Sequence, residues 1–344
     1  MKERKMEKIY KLKNNRVRRT YTGGKLLDEF VGNSDPRDVS TPEDWISSVV
    51  EARNDPPKKG EGLSFVSAGE KEYELRALIE ENPREMIGER ESAGVLVKLL
   101  DAAERLGIQV HPSKEFAKEY LNSDFGKTEC WYIVNTRPDA AVYLGFKEWV
   151  TREIWEECFY TQNIEKMLSC LHRFPVKTGE VYLVTAGVAH AIGEGCFLIE
   201  IQEPTDFTMR TEKTTKNGTL SPMLIHQGVG EKKMLDVFKY EFLTKEETEK
   251  KYKLSPKPLI SESGLIVNEL VGYSETPCFR LLSAEVTGEK TIPLDDFASI
   301  IVLNGNGTLN GEKAQKGDRF FVPFEQKELT VKNLQILICY PPKG

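Results

Sequence analysis

The sequence predicts a mainly β protein with helical insertions, organised as two β units along 344 residues. Three observations carry this expectation. Short runs rich in Val, Ile, Tyr and Phe recur between Gly, Pro and Asn punctuation over most of the chain. Helical periodicity is confined to segments before residue 175. Beyond about residue 260 the chain only alternates strand with turn.

Taken in order, the first nineteen residues carry nine basic and two acidic side chains with no apolar stretch behind them. This is an exposed lead-in to a first strand rather than a secretory signal. Helical spacing marks 71–80, 92–104 and 147–172; in the last, Trp149, Ile154, Trp155, Phe159, Ile164, Met167, Leu168 and Leu171 recur at threes and fours. Strands are expected over 107–111, 128–135, 180–185 and 196–202, then over 264–270, 279–286, 299–303, 318–322 and 334–339. The charged, Pro-punctuated segment 244–258 is poor in large apolar residues, which favours an exposed linker. The expected units are therefore 1–245, with helical insertions at about 71–105 and 147–173, and 260–344.

Charge and cysteine usage exclude several classes of partner. Asp and Glu outnumber Lys and Arg by 54 to 48, the wrong sign for nucleic-acid affinity. No apolar run approaches the ~18 residues that a membrane-spanning helix needs. Six cysteines, Cys130, Cys158, Cys170, Cys196, Cys278 and Cys339, are scattered without a CxxC pair. That pattern points to reduced thiols and a cytoplasmic location. No coiled-coil seam declares an assembly, so a monomer or a homodimer is expected.

Any imidazole metal site must draw on His111, His172, His190 and His226, the only histidines in the chain. In LGIQVHP, strand alternation puts Gln109 and His111 on one face and Ile108 with Val110 on the other, and Pro112 ends the strand. In KTECWYIV, Glu129 shares a face with Trp131 and Ile133, so a buried carboxylate there needs a cationic partner. In GEVYLVTAGVAHAIG, Gly179, Thr185, Gly187 and His190 follow the spacing of the second cupin motif, G-x5-P-x-G-x2-H, with Thr in place of Pro. Gly187 permits the turn that carries His190 back inward. His111, Glu129 and His190, with Gln109 as a fourth candidate, suit one divalent ion per chain, zinc first and other divalent metals as alternatives. His172 and His226 are expected to stay outside the site. Downstream, Glu200 and Arg210 are placed to border the metal, and Lys127 precedes Glu129 by two residues.

These residues resemble the type I phosphomannose isomerases, zinc-dependent cupins that convert mannose 6-phosphate to fructose 6-phosphate. The resemblance rests on RTYTGGKLL, EDW at 43–45, LGIQVHP, GKTECWYI, GVAHAIGEG and EIQEPTDFTMR, and spans about 19–216. It implies metal ligation by Gln109, His111, Glu129 and His190, and active-site roles for Lys127, Glu200 and Arg210. It also implies that 260–344, which contains no His and keeps Gly317 and Pro323 at turn positions, is a second, metal-free cupin (jelly-roll) barrel, leaving only the first metal-binding. Two departures stand out. Gly107 replaces a Ser that commonly touches the sugar phosphate, and Thr22 replaces a frequent Trp, while Lys216 lies at an offset suited to phosphate.

The expected activity is aldose–ketose isomerisation of a small sugar phosphate through an enediol. Glu200 is the candidate base or substrate binder, and Arg210 with Lys127 steadies the developing charge. Gly107 motivates an alternative isomerase acting on an unphosphorylated or different sugar. Two His and one carboxylate also make the facial triad of a non-haem iron cupin oxygenase, although Gln109 would fill a position oxygen needs. A sugar-binding regulator with a degenerate site is the third class.

Overall fold

The computed structural model describes residues 7–68 and 71–343. The first six residues of the basic lead-in lie outside the described residues. The chain is mainly β with helical insertions, and its layers follow from which faces of each strand are apolar.

Two sheets face each other in the first part of the chain. One runs, in spatial order, Lys253–Leu254, Val181–Val184, Glu129–Thr136, Cys196–Gln202, Leu96–Asp101, Glu43–Ile46 and Arg16–Val17. The other runs Leu171–Pro175, Ala141–Lys147, His190–Ile192, Gln109–Val110 and Met209–Arg210, with Phe242–Leu243 pairing to Ala141–Lys147. Trp131, Ile133 and Leu198 from the first sheet pack with Val142, Leu144 and Ile192 from the second, which is the interior between them. On the far side of the second sheet, Ile108, Val110 and Phe146 pack under Trp155, Phe159 and Met167 from the helices Arg152–Thr161 and Ile164–Ser169.

Strands of the first sheet are apolar on both faces, and their other face is covered by a third sheet. Val97, Leu99, Cys130, Ile199 and Ile201 pack there against Leu281, Ile301, Phe321 and Leu337. The neighbours Leu282, Ile300, Phe320 and Ile336 point the opposite way into a separate core, as a two-residue period requires. The third sheet contains Arg280–Pro293, Ala298–Leu309 and Glu328–Tyr340, long strands bent by register shifts such as that between Val286 and Glu289. It also takes in Tyr10–Leu12, which pairs with Arg319–Val322, followed by Phe65–Ala68 and Lys71–Glu74. Residues from both ends of the chain thus share one sheet.

Three local expectations need correction. The helix expected over 92–104 is instead the strand Leu96–Asp101, all six residues buried. A run apolar on both faces satisfies helical spacing by accident, so periodicity alone could not separate the two. The first helical insertion therefore shrinks from 71–105 to Leu75–Glu81 and Pro83–Ile87, after a short strand at Lys71–Glu74. The second insertion ends in the strand Leu171–Pro175, which places His172 in a sheet rather than at a helix end. Finally, 244–258 is largely exposed, but it holds the helix Lys245–Tyr252, started by a capping box of Thr244 with Glu247 and anchored by buried Thr248 and Tyr252.

Candidate metal centre and active-site cavity

Facing strands of the first two sheets bring the candidate ligands together. Ile108 and Val110 are committed to the outer core, so Gln109 and His111 turn inward. His190 begins its strand directly opposite Gln109. Gly187, at φ 88°, makes the preceding turn and donates its N–H to the His111 carbonyl at 2.9 Å, which ties the two His-bearing segments together. Glu129 opens the strand Glu129–Thr136 of the opposite sheet.

The resulting cluster is tight and buried. One ligand atom each from His111, Glu129 and His190 lies within 4.8 Å of the others. His111 Nε2 is 3.1 Å from Glu129 Oε2, and His190 Nε2 is 3.4 Å from Oε1. His111 donates from Nδ1 to the Phe207 carbonyl at 2.8 Å, and His190 from Nδ1 to the Val188 carbonyl at 2.9 Å. A carbonyl only accepts, so Nδ1 holds the proton in each ring and the Nε2 lone pairs converge on the carboxylate. Burial pushes the His111 imidazole down to about 4, and the Lys127 ammonium pushes it the same way. Burial lowers His190 as well. Two neutral imidazoles aimed at one carboxylate form a donor set that fits a divalent cation, with second ring nitrogens already fixed by the backbone.

Lys127, Gln109 and Trp131 complete the immediate surroundings. Lys127 Nζ lies 2.9 Å from His111 Nε2 and contacts Glu129 Oε2 directly. Burial alone would raise the Glu129 carboxyl, but Lys127 together with His111 and His190 outweighs it and holds the group well below the ordinary range. Trp131 Nε1 donates to Glu129 Oε1 at 2.9 Å, which explains the carboxylate among apolar neighbours. The Gln109 side-chain amide donates from Nε2 to His190 Nε2 at 3.1 Å, which sets Gln109 directly beside the cluster.

A cavity of about 390 Å³ opens beside this cluster, walled by Gln109, Lys127, Glu200 and Arg210 among others. Its size suits a single sugar. Glu200 Oε1 stands 3.8 Å from Lys127 Nζ and 3.3 Å from Lys98 Nζ. Arg210 hydrogen-bonds only main-chain carbonyls, Leu224 at 2.8 Å and Thr208 at 3.4 Å, and among the described residues it has no ion pair. Burial and the neighbouring Arg19 charge lower it to about 10, so it stays cationic at neutral pH. His172, bonded to the Leu243 carbonyl, and His226, accepting from the Gly230 N–H, lie outside the cluster. Lys216 lines the cavity mouth, paired with Glu104 at 2.8 Å.

The sequence reading missed Lys98. It is 2% exposed, sits directly across from Glu200 in the sheet, and lies 3.9 Å from both Glu43 and Asp206. Its signal was there: a lone cation inside a wholly apolar run must find acids. Arg19 closes the network, forking onto Asp206 at 2.7 and 2.9 Å and reaching Glu43 at 3.0 Å. Burial would raise the Asp206 carboxyl, but Arg19 and Lys98 overcome it and leave the group well below its usual range. A carboxylate depressed in the fold stabilises fully above its unfolded pKa near ~4, and that contribution is lost as pH falls below it. Asp206→Asn should therefore cost about 3–5 kcal/mol at neutral pH, and urea melts from pH 7 to pH 3 should show a flatter acid decline than in the parent.

Comparison with known proteins agrees with this geometry. Residues 9–147 match the family described as phosphomannose isomerase type I, catalytic domain. YvyI of Bacillus subtilis (strain 168) is 29% identical over 328 residues, covering 92% of this chain and 93% of its own. ManA of the same organism, a mannose-6-phosphate isomerase, is 37% identical over 134 residues, 38% of this chain and 41% of its own. The crystal structure of the mannose 6-phosphate isomerase from Bacillus subtilis superposes with a TM-score of 0.79 at 25% identity, over 97% of this chain and all of that one. The catalytic-domain match runs through the strands that carry Gln109, His111 and Glu129, so over 9–147 the chain is similar to the type I phosphomannose isomerases.

Proposed function

We propose that the protein is a zinc-dependent isomerase interconverting mannose 6-phosphate and fructose 6-phosphate through an enediol. The observation that carries this reading is the convergence of two neutral imidazole Nε2 atoms and one carboxylate beside a sugar-sized cavity that Gln109 and Lys127 line. His111, Glu129, His190 and Gln109 would hold the ion, and a bound divalent metal supplies Lewis-acid polarisation of the substrate carbonyl and hydroxyl oxygens.

The remaining steps belong to side chains of the cavity wall. Glu200 takes the proton from C2 of the open-chain aldose and returns it to C1, while a proton moves from the C2 hydroxyl to the C1 oxygen, so the sugar gains and loses nothing overall. Arg210, cationic and without a carboxylate partner, faces the negative charge that builds on the enediolate. Lys98 and Lys127 hold Glu200 between them and fix its position. In this reading the metal-binding unit lies within 1–245, and 260–344 forms a second, metal-free barrel whose sheet is extended by Tyr10–Leu12, Phe65–Ala68 and Lys71–Glu74. The six cysteines are free and buried, which supports a cytoplasmic setting. No helix among the described residues is long and apolar enough to cross a membrane.

A coupled assay across mannose 6-phosphate, mannose and other aldose phosphates, with and without chelator, tests the reading. Turnover of mannose 6-phosphate that chelation abolishes and zinc restores is expected. Iron-dependent oxygen uptake without sugar isomerisation would replace the reading with an oxygenase, and equal turnover of mannose and its phosphate would replace the substrate.

A further inference from the structure

Resting on that reading, we propose that Glu212 occupies an anion cradle formed by the Arg105 guanidinium and the Ile108 N–H, and that this resident carboxylate sets how strongly the cavity takes a phosphorylated sugar.

The cradle is built like an oxyanion-binding site. Arg105 donates from Nη1 to Glu212 Oε1 at 2.6 Å and from Nη2 to Oε2 at 2.9 Å. The Ile108 N–H adds a third donor to Oε1 at 2.8 Å. A planar fork joined by a backbone N–H is equally a phosphate-binding set, because phosphate oxygens accept two parallel bonds as a carboxylate does. Gly107 keeps the approach open: a Cβ there would meet nothing nearer than Glu212's own atoms, at 3.8 Å.

Position makes the cradle relevant to substrate. Arg105, Gly107 and Glu212 line the same cavity as Gln109 and Glu200. Ile108 precedes His111 by three residues of nearly extended chain, about 10 Å. That is comparable with the reach from the reacting carbons of a hexose to a phosphate on its sixth carbon. The other cation at the mouth, Lys216, already carries Glu104. A phosphate monoester, with about 1.5 to 2 negative charges at neutral pH, can use the cradle only after Glu212 swings out, since the two anions cannot share three donors. Glu212 is thus a specificity-determining residue that charges an entry cost to phosphorylated ligands and none to neutral sugars.

Inorganic phosphate is the direct probe, titrated calorimetrically into the metal-loaded, full-length protein. Glu212→Ala should tighten phosphate about tenfold, the scale of one charge-assisted hydrogen bond, and raise the kcat/KM ratio of mannose 6-phosphate to mannose by a similar factor. Glu212→Gln, which keeps the shape, should move both in the same direction, and the gain should vanish in the Arg105→Ala/Glu212→Ala double variant. Unchanged or weaker phosphate binding in Glu212→Gln, with thermal stability retained, overturns the proposal, and this variant decides if the alanine form does not fold. The titration needs no turnover. Tightened phosphate in a protein that isomerises no sugar keeps the cradle and sinks the isomerase reading; robust isomerisation with phosphate binding indifferent to Glu212 does the reverse.

Discussion

His190→Ala is expected to leave the protein nearly metal-free and to lower turnover by at least ~10³-fold, the several kcal/mol that a Lewis acid contributes to such a step. His190 is fully buried, its Nδ1 proton is committed to the Val188 carbonyl, and its Nε2 has no role in the apolar core. Removing it deletes one of three charged or borderline ligands and leaves Glu129 with a smaller share of its partners. His172→Ala is the matched control. That residue is also a buried strand histidine, yet its hydrogen bond goes to the Leu243 carbonyl and it lies outside the cluster, so metal content should stay at its parent level. Elemental analysis of both variants beside kcat reads the difference. Full metal occupancy in His190→Ala would remove His190 from the site.

Arg210→Ala should keep its metal and lose about 10²-fold in kcat, the size measured elsewhere when one preorganised charge stabiliser is deleted. Among the described residues Arg210 has no carboxylate partner. Other cations of the wall are held by carboxylates, Arg19 by Asp206 and Glu43, Lys98 by Glu200, and Lys127 by Glu129. Arg210 spends its donors on the Leu224 and Thr208 carbonyls, which position the guanidinium without neutralising it. Its charge is free to meet an enediolate. Arg210→Lys should recover part of the rate, since charge survives while the fork is lost. A kcat within twofold of the parent in the alanine variant would make Arg210 a structural residue only.

Much of the centre was legible because each candidate ligand sits in a local pattern with one physical reading. Gln109 and His111 alternate with Ile108 and Val110, which had to face a core. Gly187 announces the turn before His190, and Glu129 stands among apolar neighbours that a carboxylate would otherwise avoid. The acid–base network was harder to see. Lys98 lies in a run buried on both faces, where a three-and-four spacing mimics a helix, and the helical reading hid the cross-strand pairing with Glu200. The partners of Arg19 are likewise set by sheet order rather than by sequence spacing, with Asp206 lying 187 residues away. Long-range register escaped for the same reason: nothing local to Tyr10–Leu12 says that it pairs with Arg319–Val322. Alternation identifies a strand's faces, but the choice of partner depends on surfaces assembled elsewhere in the chain.

The most direct measurement is anomalous diffraction at the zinc edge from crystals of the purified protein. The account predicts one strong peak per chain, within ~2.0–2.2 Å of His111 Nε2, His190 Nε2 and a Glu129 oxygen. An empty cluster in zinc-replete crystals, or a peak whose ligands exclude these three side chains, would contradict it.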